Sequence, residues 1–203
     1  MIPTVSLVSP DAPTQAQLDG SEGWMVVRGS TLTDGDGSRT ATVLFQPGTT
    51  MHCTGTDCGK LGTSPYVDLT EYTVGNDGPS AMPGDLPPQS GYTYAVEAGF
   101  MNGTQPLDVN VSFFDAAGVT SQPALFYLED FVAAPSDATD AKNGVPSGSY
   151  DRALGAWKEE SGGKVYCIIN IQNGAARLST DSTCTAEMTY GSETPPITLG
   201  ERE

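Results

Sequence analysis

A chain of 203 residues can bury roughly 70% of the surface that it exposes when unfolded, so one sizeable core needs no metal to support it. A net charge of −16 with only nine Lys and Arg excludes nucleic-acid binding through phosphates and argues against an anionic membrane surface. Twenty-four glycines and fifteen prolines, with 37% hydrophobic residues, starve helices of uninterrupted length and suit short strands joined by many turns.

No stretch approaches the 18 or more apolar residues of a membrane span, so no membrane insertion is expected. The start, Met1-Ile2-Pro3-Thr4-Val5, carries neither a charged n-region nor an apolar h-region. Export is therefore inferred from other features, and the chain reads as part of something larger.

The predicted elements follow in chain order. Residues 1–23 form an entry strand at Val5-Ser6-Leu7-Val8 followed by a loop. Trp24 to Arg28 and Thr40 to Phe45 are strands of a hairpin, with the turn-forming cluster Thr33 to Arg39 between them. Met82-Pro83-Gly84-Asp85-Leu86-Pro87-Pro88 cannot be a central strand and is read as an extended crossing loop. Tyr92 to Ala98 and Leu107 to Phe113 alternate with period 2, placing Tyr92, Tyr94, Val96 and Ala98 on one face, and Leu107, Val109, Val111 and Phe113 on another. Leu125 to Leu128 and Val165 to Ile171 are apolar on both faces and are expected at the centre of a sheet. Pro135 to Gly148 reads as a long surface loop, and Asn173-Gly174 as a stop. The Ser- and Thr-rich run Ala175 to Tyr190 reads as strand or irregular structure. The fold class is all-β: an antiparallel β-sandwich with long Gly/Pro-rich loops over residues 24–172, followed by a C-terminal extension over 173–203.

Four cysteines, Cys53, Cys58, Cys167 and Cys184, fit two local disulfides, Cys53–Cys58 and Cys167–Cys184, out of three connectivities. Chain entropy gives the second loop about 3 kcal/mol. Free thiols, or a zinc site of His52, Cys53 and Cys58, are the alternatives, and adjacent His52 and Cys53 would splay awkwardly around one ion.

Chemistry-bearing patterns are sparse. Alternating oxygens in Asp34-Gly35-Asp36-Gly37-Ser38 invite calcium, with Asp34 and Asp36 as ligands, but Arg39 stands where the sharp-turn glycine belongs and Phe45 where the bidentate Glu belongs. A hairpin turn explains the same residues. His52, the one histidine, is the only near-neutral base, and no Gly-x-Ser-x-Gly elbow accompanies it. Carboxylate pairs such as Glu97 with Asp108 are expected by chance among 25 acids. Trp157 is either core or a sugar-stacking platform. Asn102-Gly103-Thr104 and Asn110-Val111-Ser112 fit the N-glycosylation sequon.

Several segments together carry a resemblance. They are Asp34 to Thr49, Thr70 to Gly75, Ala81 to Pro88, Gly91 to Glu97, Phe126-Tyr127-Leu128-Glu129-Asp130-Phe131 and Val145 to Arg152. In this order, over roughly residues 24–172, the chain resembles the β-rich region preceding the YD repeats of large bacterial RHS-repeat proteins. The resemblance implies a structural or interaction module of a giant secreted or surface protein, with other domains of that parent as partners. It carries over no catalytic residue. The expected function is therefore non-enzymatic and extracellular or at the cell surface, without a cofactor. The alternative is a calcium- or glycan-binding module with a protein or glycan ligand.

Overall fold

The computed structural model describes residues 8–16, 18, 24–34, 37–72, 84, 95–122, 124–127, 145–163, 167–172 and 175–179. Among them the chain is all-β and antiparallel throughout, with a single helical turn. The strands are β1 (Thr14–Gln15), β2 (Trp24–Arg28), β3 (Leu32–Asp34), β4 (Gly37–Arg39), β5 (Thr42–Phe45) and β6 (Thr50–Thr54). The turn α1 (Cys58–Leu61) precedes β7 (Tyr66–Glu71), β8 (Val96–Asn102), β9 (Gln105–Pro106), β10 (Asn110–Phe114) and β11 (Leu125–Tyr127). Last come β12 (Val145–Asp151), β13 (Ala156–Gly163), β14 (Cys167–Gln172) and β15 (Ala175–Ser179).

A five-stranded sheet runs β11-β5-β2-β15-β14, and a four-stranded sheet runs β1-β7-β8-β9. Strands β6 and β10 form a separate pair, as do β3 with β4 and β12 with β13. The register Met25↔Phe45 and Val27↔Val43 puts these four side chains on one face of the larger sheet. They join Val67 and Leu69 of the smaller sheet in one buried cluster, with Val96, Ala98 and Phe100 packed against it. Met51 and Phe113 attach the β6–β10 pair to the same cluster. Each fully buried aliphatic or aromatic side chain here contributes about 1.5–3 kcal/mol.

The opposite face of the larger sheet is also apolar. Trp24, Leu44, Leu125, Ala176 and Leu178 form a second buried cluster, because residues alternating with the first set must point the other way. This double burial corrects one expectation. Strand β11 has Leu125 in one cluster and Phe126 against the other, yet among the described residues it lies at the end of the strand order and pairs only with β5. Strand β14 closes the other end. The apolar composition of β11 reflects a sheet covered on both sides there, whereas on β14 Ile171 is exposed.

Other expectations shift in detail. The run Leu107 to Phe113 is broken: β9 ends at Pro106 and β10 begins at Asn110. Val145 to Gly148, read as loop, belongs to β12. Strands β14 and β15 pair antiparallel with Gln172 opposite Ala175, and Asn173-Gly174, read as a stop, lies outside the described residues. β15 then lies between β2 and β14, so a strand from the expected C-terminal extension is part of the larger sheet. The entry strand at residues 5–7, Tyr92 to Tyr94 and residues 180–190 lie outside the described residues, as does all of 82–88 except Gly84.

Candidate functional site

Alternation along β7 and β8 sends Val67, Leu69, Val96, Ala98 and Phe100 inward, and sends Tyr66, Asp68 and Thr70 with Glu97, Gly99 and Met101 to the outer face. This outer face carries polar side chains from both strands. Asp68 and Thr70 are buried there even though they are polar. Asp68 sits opposite Gly99, and a Cβ at Gly99 would overlap its Oδ1, so the missing side chain makes room for the carboxylate.

Two pieces of chain dock on this face. The first is the segment around Asp11. The Asp11 backbone N–H donates to Thr70 Oγ1 at 2.9 Å, and the Thr70 hydroxyl donates on to Asp68 Oδ2 at 3.1 Å. The Asp11 carboxylate accepts from the backbone N–H of Ser30, the Ser30 hydroxyl at 2.6 Å and the Ala12 N–H at 2.8 Å. Burial alone would raise its pKa. The Ser30 and Ala12 donors outweigh burial and hold the carboxyl below its ordinary value.

The second is the β12–β13 hairpin. Arg152, at its tip, donates to Glu97 Oε1, and the Tyr72 hydroxyl donates to Glu97 Oε2. Burial first, then the bond to Glu97, pushes the Tyr72 phenol far above its ordinary pKa, so it remains a donor. The tip is rigid. Asp151 Oδ1 accepts the backbone N–H groups of Ala153 and Leu154, both at 2.9 Å, Oδ2 pairs with Lys158, and Gly155 supplies a φ of 63°. Lys158 and these N–H groups lower the Asp151 pKa.

Trp157 lies on β13, half-buried, with its ring 5.5 Å from that of Tyr150 and tilted by 59°. Tyr150 in turn lies against Gly84, where a Cβ would come within 3.0 Å of its ring. This is a tilted aromatic pair and not a flat shelf. The Trp157 indole N–H is buried with no hydrogen-bond partner among the described residues.

The remaining sequence-derived candidates lie apart from this face. Asp34 closes the β3–β4 ribbon opposite Gly37, in keeping with a turn, and Asp36 lies outside the described residues. No group of three His, Cys, Asp or Glu among the described residues could hold a metal ion. Cys53 and Cys58 form a disulfide with Cα atoms 5.8 Å apart, which removes the zinc alternative at these thiols. Cys167 is in β14, and its expected partner Cys184 lies outside the described residues. His52 is exposed on β6, edge-on to Phe114 at 6.3 Å between ring centroids. Glu97 and Asp108 are not brought together as a pair. Glu97 meets Tyr72 and Arg152, and Asp108 meets Thr56 and Asp57.

Sequence reasoning missed Asp11, Asp68, Tyr72 and Arg152 as one assembly. The alternation Val67-Asp68-Leu69-Thr70, which the sequence reading passed over, is the signal that could have found the polar face, but nothing local signals what covers it. No protein-family model, curated protein or solved structure matches the chain.

Proposed function

We propose that the chain is a non-enzymatic structural and interaction module of a secreted or surface-displayed protein of the RHS-repeat type, with its two main sheets packed as a β-sandwich. The observation that carries this reading is how the polar face of the four-stranded sheet is used. Asp11, Thr70, Tyr72, Glu97 and Arg152 are engaged with one another or with backbone groups, tying a strap and a hairpin onto the sheet. Groups saturated in this way hold structure instead of moving protons. The Cys53–Cys58 disulfide supports a non-reducing compartment, where such bonds persist. The acidic balance supports solubility of a displayed chain.

A second reading, a glycan-binding module, is favoured by one observation: the half-buried Tyr150–Trp157 ring pair on the β12–β13 hairpin. Thermal melts separate the two. The structural reading expects a melting temperature unchanged by excess calcium or by a panel of neutral and acidic oligosaccharides, and lowered by Glu97→Gln. A ligand-dependent rise that Trp157→Ala abolishes overturns it in favour of the glycan reading. A rise with calcium overturns it in favour of a cation-binding module.

A further inference from the structure

The Cys53–Cys58 disulfide spans a surface turn that is fastened independently of it. The Asp57 N–H donates to the Asp108 carbonyl at 3.2 Å, and the Asp108 N–H returns a bond to Asp57 Oδ2 at 3.0 Å. The Thr56 hydroxyl donates to Asp108 Oδ2 at 2.9 Å, and Lys60 Nζ donates to Asp57 Oδ1 at 2.6 Å. Lys60 first, then the Asp108 N–H, lowers the Asp57 pKa. Gly55, at φ 125°, packs so closely that a Cβ would lie 2.6 Å from the Asp108 carbonyl oxygen. Behind the turn, Val111↔Cys53 and Ser112↔His52 pairing holds β6 in place. Opening the disulfide therefore leaves the course of the backbone set by other contacts.

The sulfurs are also approachable. Both cysteines are half-buried, and the flanking Thr54, Gly55, Thr56, Gly59 and Lys60 are exposed. A Cβ on Gly59, next to Cys58, would meet nothing within 4 Å. Thiol–disulfide exchange requires access for an attacking thiolate and a leaving sulfur that can move away.

We infer that Cys53–Cys58 is a thiol-exchange site, opened by small-molecule thiols while the fold stays intact. In the first step a small thiolate attacks one sulfur. The Cys53–Cys58 bond breaks, a mixed disulfide forms, and the displaced sulfur leaves as a thiolate that takes a proton from water. A second small thiol then releases the first as its own disulfide. The protein gains two electrons and two protons, which the two small thiols supply. Because the fastened turn keeps the two protein thiols near each other, the bond re-forms when the small thiol is removed and an oxidant is supplied.

The test uses the full chain in native buffer with reduced glutathione or cysteamine. Cysteine labelling and peptide mass mapping read Cys53 and Cys58 separately from Cys167 and Cys184, and near-ultraviolet circular dichroism reads the fold. The expected result is opening of Cys53–Cys58 with the dichroism retained. Cysteamine, a cation, should act several-fold faster than the anionic glutathione on a chain of charge −16. With oxidised glutathione in place of the reduced thiol, Cys58→Ser should trap a single mixed disulfide on Cys53, with one reduced glutathione released as the leaving group. Reduction only at denaturant concentrations that unfold the protein, or loss of the native dichroism on opening, overturns the inference. A Cys53→Ser/Cys58→Ser variant provides an independent check, since it should fold with the same spectrum. Its failure to fold overturns the inference as well.

Discussion

The five-stranded sheet and the outer face of the four-stranded sheet bury residues by opposite means. In the first, β2 and β5 send Met25, Val27, Val43 and Phe45 to one cluster, and Trp24 and Leu44 to another. Burial there is apolar and non-directional, and the alternation alone produces it. In the second, Asp68 and Thr70 are buried within a chain of hydrogen bonds that runs from the Asp11 N–H through the Thr70 hydroxyl to the Asp68 carboxylate. A buried polar group without such a partner costs about 1–3 kcal/mol. The first region therefore tolerates exchange among apolar side chains of similar volume, and the second depends on specific pairs.

The largest effects should come from the two-faced sheet. Leu44 and Phe45 are adjacent, point in opposite directions, and are 1% and 3% exposed. Leu44→Ala and Phe45→Ala should each cost about 2–5 kcal/mol in denaturant unfolding. A large loss for Phe45 with almost none for Leu44 would break the comparison, because it would leave the sheet with one buried face.

Next in size is Gly99→Ala, which forces a methyl group against Asp68 and should cost about 1–3 kcal/mol. Combined with Asp68→Ala it should be strongly non-additive, since the second change removes the atom that clashes. Additive losses would place the strain elsewhere. Asp11→Ala removes the acceptor for Ser30 and Ala12 and should cost about 1–2 kcal/mol near neutral pH.

That contribution has a pH signature. The Asp11 pKa is depressed in the folded chain, so its stabilisation is present above the unfolded carboxylate value of about 3.9 and is lost as pH falls through the folded value. Asp115 has a pKa depressed by the Val119 N–H and the Thr120 hydroxyl and adds to the same acid limb. Unfolding titrations should therefore be flat near neutrality and fall below about pH 4. Asp11→Ala should shallow that fall.

The smallest effect distinguishes the hairpin latch. Tyr72→Phe removes one bond to a half-exposed carboxylate and should cost about 1 kcal/mol or less. The Tyr72 pKa is raised in the folded chain, so its contribution is complete below the unfolded phenol value of about 10 and is lost as pH rises above it. Wild type should lose stability along this alkaline limb, and Tyr72→Phe should flatten it. An unchanged limb would mean that Tyr72 is not held by Glu97 in solution.

Much of the fold was legible because its signals are local. Trp24 to Arg28 and Thr42 to Phe45 alternate around an Asp-Gly turn cluster, and the structure pairs them as expected. Cys53 and Cys58 are close enough in sequence for their pairing to be inferred. The positions of β11 and β14 were not legible. A strand that is apolar on both faces reports coverage from two sides and says nothing about how many neighbours it has. The candidate site was legible only in fragments. Tyr72, Glu97 and Arg152 come from three separate segments, and Asp57 meets Asp108 across 51 residues.

By itself the sequence determined an all-β, acidic chain and the shared face of Val96 and Ala98, and it favoured the nearer disulfide, because these follow from composition, period-2 alternation and short loop closure. Only the tertiary structure decided which strands are neighbours, that β15 lies between β2 and β14, and that Gly99 makes room for Asp68. Those outcomes depend on contacts between residues far apart in the chain. Side chains of similar chemistry could satisfy many such pairings, and only simultaneous packing and hydrogen bonding across the whole fold selects one.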